Sequence, residues 1–97
     1  MRFVVVATRD QSAPAEAFKP ELMQAEAKLA LKMWAEDFVR EIYSRTDGKG
    51  AVIIIEAANE EEVASKLAEL PLVKAGLLST EIYGITAYRA ISQMAES

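Results

Sequence analysis

The stretch Asp47-Gly48-Lys49-Gly50-Ala51-Val52-Ile53-Ile54-Ile55-Glu56-Ala57 decides how the rest of the chain reads. Turn-forming residues open directly into a β-branched run, the pattern of a hairpin exit followed by a strand. A strand leaving a tight turn usually pairs with the segment that entered it. Residues 39–46 are therefore expected to be its partner strand, although Phe38 and Ile42 also fit a continuation of the preceding helix by period.

Working outward, Phe3 to Ala7 is dense in β-branched residues and closed by Thr8-Arg9-Asp10, which reads as a buried strand. Gln11 to Ala15 reads as a loop with a helical turn after Pro14. Pro20 suits the first position of a helix, with Glu21 in its acidic first turn. Leu22, Ala25, Glu26, Leu29, Ala30, Met33 and Trp34 follow at three- and four-residue spacing and give this helix an apolar face, with Lys28, Lys32 and Glu36 turned away. After the central strand, Asn59 and Glu60-Glu61-Glu62 give the cap and acidic first turn of a second helix. Its stripe is Val63, Leu67 and Leu70, and Pro71 stops it. Residues 71–76 read as a loop, and 77–89 as a last strand in which Gly84 suggests a bulge or a close backbone approach.

This order predicts an α+β fold of the ferredoxin-like type, βαββαβ, with a four-stranded antiparallel sheet and two helices on one face. A sheet with one face in water should alternate apolar and polar residues. Val4-Val5-Val6 and Val52-Ile53-Ile54-Ile55 instead place large apolar groups on both faces. Exposing one such side chain costs roughly 1.5–3 kcal/mol relative to burying it. The two helices cover only one face, so the expected cover for the other is a second copy of the sheet in a two-fold dimer.

Composition narrows the chemistry. The 97 residues hold no cysteine and no histidine, which excludes disulfides, Cys nucleophiles, Cys/His zinc sites and any imidazole base. A net charge of −4 offers no basic patch, so nucleic acid is not an expected partner. No run approaches a membrane span of about 20 apolar residues, and the short apolar N-terminal run is not a signal segment. A single cytoplasmic domain over 1–97 is the expectation, with no metal site. Of the 52% apolar residues, seventeen are alanine, so a monomer core would be thin.

From the turn at Asp47, through the strand 51–57 and the capped helix to Ala68-Glu69-Leu70-Pro71-Leu72, the chain resembles the dimeric α+β barrel group, and most closely its muconolactone isomerase-like members. The likeness spans about residues 20–86. It places Glu21 and Glu26 on acidic positions and Tyr43 on an aromatic one. It implies a homodimer that moves a proton on a lactone or related small carbonyl compound, without a cofactor and by a side-chain carboxylate. A histidine of the family's second strand falls at Glu41, so any step needing an imidazole is lost.

Glu26 is the foremost catalytic candidate, because it interrupts an apolar stripe where burial would raise its pKa toward the range of a general acid or base. The plainer reading leaves it at the stripe's edge with its carboxylate in water. Tyr43 is the second candidate, as a donor to a ligand carbonyl, against a reading in which Tyr43, Tyr83 and Tyr88 only pack their rings on the sheet. Glu41, Trp34 and Tyr83 are candidates to contact the substrate, although a tryptophan placed like Trp34 is more often a core or dimer-interface anchor than a ligand platform. Glu41 and Glu56 would form a two-carboxylate site if register turned them to one space, and Glu60-Glu61-Glu62 reads as helix capping and not as a metal cluster.

Overall fold

The structure, a computed structural model, describes residues 1–96. Four strands, β1 (Arg2–Arg9), β2 (Val39–Ser44), β3 (Gly50–Glu56) and β4 (Leu78–Ile85), form one antiparallel sheet in the order β2-β3-β1-β4. Helices α1 (Pro20–Ala35), α2 (Glu60–Leu67) and α3 (Pro71–Lys74) layer one face of it, and α4 (Arg89–Glu96) follows β4. The expected ferredoxin-like topology is present.

Register separates the two faces of the sheet, because successive side chains on a strand point to opposite sides. Phe3, Val5 and Ala7 pair with Ile55, Ile53 and Ala51 toward the helices. There they build a core with Met33, Phe38, Val63, Leu67 and Leu70. Val4 and Val6 pair with Ile54 and Val52 on the opposite face, which no helix covers.

The junction between α1 and β2, ambiguous in sequence, is settled by a Schellman turn. The Phe38 N–H donates to the Met33 carbonyl and the Asp37 N–H to that of Trp34, with Asp37 left-handed at φ 64°. Phe38 is then drawn into the core and β2 begins at Val39. The hairpin closes as expected. Gly50 is obligatory there, since a Cβ would lie 2.0 Å from the Ala7 carbonyl oxygen.

Three expectations need correction. Residues 71–76 are not a loop: Pro71 occupies the first turn of α3, where its missing N–H costs nothing. A second Schellman turn at Gly76 ends that helix, with the Leu77 N–H on the Leu72 carbonyl. Gly84 marks no bulge, because β4 keeps regular register past it and the Phe3 ring fills the space beside it. The bulge lies instead in β2, between Val39 and Glu41. The last strand also stops at Ile85, and the chain then coils into α4, whose Ile91 and Met94 follow Tyr88, just before the helix, at helical spacing.

Candidate functional site

A cavity of about 230 Å³ lies between α1 and the sheet, closed below by Leu70 and Leu72. Met23, Ala27, Ala30 and Met33 line it from α1, and Ile42 and Ile53 from the sheet. Its walls are mostly alkyl, and Glu26, Arg9 and Ser44 are their polar side chains. An apolar pocket with a few convergent polar groups is the usual form of a small-molecule site. An engineered apolar cavity of about 150 Å³ holds benzene, so this volume suits a small ring with substituents.

Glu26 reaches the cavity because it sits one turn from both Met23 and Ala30 on the inner face of α1. Its Oε1 accepts a hydrogen bond of 3.0 Å from the Leu72 N–H, at the start of α3. Burial holds the carboxyl above its usual pKa range, and the Leu72 bond offsets part of that rise. Oε2 takes no hydrogen bond from the described residues. One carboxylate oxygen is thus fixed to the backbone. The same bond also braces α1 against the α3 segment.

The other sequence candidates are elsewhere. The bulge in β2 turns Ile42 and Ser44 to the helix side, and Glu41 and Tyr43 to the open side opposite Ile54 and Val52. The Tyr43 hydroxyl donates to the Glu41 carboxylate, and on β4 the Tyr83 hydroxyl donates to Glu81 at 2.8 Å. Each phenol is held above its usual pKa by the carboxylate it bonds. Tyr43, Glu41 and Tyr83 therefore lie across the sheet from Glu26. Trp34 is 58% exposed on α1 and does not line the cavity. Glu56 is on the open face too, but the Met1 ammonium at 2.8 Å engages it and lowers its pKa, so it makes no paired-carboxylate site with Glu41. Glu60-Glu61-Glu62 is a helix start as read: Asn59 Oδ1 accepts from the Glu62 N–H. Among the described residues no acidic cluster is arranged to hold a metal.

Sequence reasoning missed Arg9 and Ser44. Arg9 shares the alternation of Phe3, Val5 and Ala7, which puts it on the cavity side, and its guanidinium lies 5.6 Å from the Phe18 ring centroid. That periodicity was available in the sequence. Ser44 was not, because its facing depends on the bulge.

Two solved structures share this architecture over nearly the whole chain. Muconolactone isomerase superposes with a TM-score of 0.71 at 22% identity, over 91% of this chain and 91% of that one. The fold is that of the dimeric α+β barrel proteins. The 5-chloro-2-hydroxyhydroquinone dehydrochlorinase of Burkholderia phenoliruptrix AC1100, in complex with 2,5-dihydroxybenzoquinone, gives a TM-score of 0.69 at 21% identity, over 93% of this chain and 98% of that one. By sequence the chain matches no protein-family model and no curated protein. No helix among the described residues is long and apolar enough to cross a membrane.

Proposed function

We propose that the protein is a cofactor-independent isomerase that moves a proton on a lactone or related small carbonyl compound bound in the α1–sheet cavity. The observation that carries this reading is a half-buried carboxylate, raised in pKa, that lines an apolar space of ring size and has one oxygen anchored to the backbone. Glu26 in its ionised form takes a proton from one carbon of the system conjugated with the carbonyl and returns it to another carbon of that system, so the charge on the protein is unchanged after each turnover. A base whose pKa is raised toward neutrality suits both halves of that cycle. Arg9 is the cavity's cation and is placed to neutralise an anionic arm or the developing enolate. Of the proteins that share the fold, one is a muconolactone isomerase and another a 5-chloro-2-hydroxyhydroquinone dehydrochlorinase in complex with 2,5-dihydroxybenzoquinone, and both names point to small oxygenated molecules. Tyr43 is left out of the chemistry because its hydroxyl is engaged with Glu41 on the opposite face.

We further propose a homodimer in which two open sheet faces pack together. Val4, Val6, Val52 and Ile54 form the centre of that face, flanked by the Glu41–Tyr43 and Glu81–Tyr83 pairs.

A second reading, a non-catalytic binding or structural dimer, is favoured by one contact: the Glu26–Leu72 bond gives Glu26 a structural task of its own. The Glu26→Gln variant separates the two, since its amide oxygen still accepts from Leu72 while it cannot carry the proton. Deuterium uptake by muconolactone in D2O, followed by NMR, is expected for the native protein and lost in Glu26→Gln with the fold intact. Equal uptake by both proteins would leave Glu26 a brace only.

A further inference from the structure

Alanine makes the room in the cavity between α1 and the sheet. Strand pairing sets Ser44 beside Ala51 and Ala51 beside Ala7, a row of small side chains that crosses three strands on the helix side. The next row, two residues along each strand and about 7 Å away, is Ile42, Ile53 and Val5, all of them large. Opposite the small row, α1 presents Ala27 and Ala30 to the same space. Large neighbours such as Met33, Ile53 and Leu70 hold the two layers apart, and packed interiors collapse only partly around missing volume. The result is a slot with methyl groups above and below it and a branched alkyl wall at one end.

Arg9 stands at the other end, two residues beyond Ala7 on β1 and paired with Leu78 of β4. Its guanidinium lies over the Phe18 ring, and among the described residues it forms no ion pair. Glu26 lines the same cavity but does not neutralise it. Phe18 precedes α1, whereas Glu26 is six residues past Pro20, about 9 Å along the helix axis. A guanidinium without a counter-charge, beside alkyl walls, favours a ligand that brings the missing negative charge in the planar, two-pronged form that it binds best.

We propose that the two alanine walls and Arg9 are the specificity determinants of this site: Ala7 and Ala51 below and Ala27 and Ala30 above admit a flat ring and turn away a puckered one, while Arg9 selects a ring that carries a carboxylate. This deepens the proposed function, on which it rests, by naming the residues that choose the ligand. It also gives Arg9 to the ligand's anionic arm and not to the enolate, because the enolate forms beside Glu26 and the guanidinium is held at Phe18. The four alanines and Arg9 thus act on binding, and Glu26 on the proton.

Three probes of one size separate the determinants. Furan-2-carboxylate is flat and anionic, tetrahydrofuran-2-carboxylate puckered and anionic, and furan-2-carboxamide flat and neutral. NMR titration of the native protein at low salt is expected to show the first bound about tenfold more tightly than either of the others. Arg9→Gln is expected to erase the preference for charge and keep the preference for flatness. Ala51→Val and Ala30→Val add methyl groups to empty space, and are expected to weaken the flat acid about tenfold while the melting temperature holds. Equal affinity for the three probes, or binding of none, overturns the inference on the native protein alone, and a charge preference that survives Arg9→Gln overturns the part given to Arg9. Deuterium exchange on muconolactone tells the two claims apart. A protein that sorts the probes but exchanges nothing keeps the slot and loses the isomerase, whereas one that exchanges without sorting keeps the isomerase and loses the slot.

Discussion

The two faces of the sheet are made of nearly the same residues and do different things. Toward the helices, Val5, Ile53 and Ile55 are sealed by the chain itself, and the space left over is a cavity with Glu26 in its wall. On the other side, Val4, Val6, Val52 and Ile54 are only partly covered and are framed by tyrosine–glutamate pairs. Composition does not distinguish these faces. What distinguishes them is that only one is covered by the chain itself; in the proposed dimer, one face sets the stability of the protomer and the other its assembly.

That contrast is broken most sharply by neighbouring isoleucines. Ile55→Ala removes a fully buried side chain and is expected to destabilise the protomer by about 2–5 kcal/mol, at every protein concentration. Ile54→Asp, one residue away, is expected to leave a folded monomer and to raise the dimer dissociation constant by two orders of magnitude or more, on the order of 3 kcal/mol. Urea unfolding at two concentrations and sedimentation read the pair, and a concentration-independent loss in both would erase the difference between the faces.

Within the cavity, Glu26→Gln is expected to lower turnover by about 10²–10⁴-fold with little change in melting temperature. Glu26→Ala also deletes the acceptor for Leu72 N–H, and is expected to cost about 1–3 kcal/mol of stability. If Gln and Ala destabilise alike, the Leu72 bond does not brace the fold.

Much of this contrast was legible in the sequence. The strand 51–57 pointed to the hairpin, the doubled apolar pattern marked both faces as apolar, and the position of Glu26 on the α1 stripe pointed to the cavity. The facing of Glu41 and Tyr43 was not legible, since a single extra residue near Arg40 reverses which side they take. Those two residues could not be assigned to Glu26's side without the register. α4 was missed because Tyr88 and Ile91 suit a strand as well as a helix, and the helix shows only in their three-residue spacing with Met94.

Smaller effects sharpen the same picture. Asn59→Ala removes the cap of α2, remote from both faces, and is expected to cost about 1 kcal/mol without altering assembly or turnover. The pH dependence of stability should also carry a trace of Glu26. Its folded pKa is raised, so its contribution is fully present below the unfolded value and is lost as pH rises through the folded value. The native protein should therefore lose stability relative to Glu26→Gln over the window just above the ordinary glutamate range, as read by urea midpoints against pH.

The most direct measurement is a 13C NMR titration of the glutamate side-chain carboxyls, with the Glu26 signal assigned by its absence in Glu26→Gln. A carboxyl poised in the cavity wall should titrate above the solvent-exposed glutamates and shift when a lactone ring is added. A Glu26 signal that titrates with the surface glutamates, and ignores the ligand, would contradict its role as the proton carrier of this site.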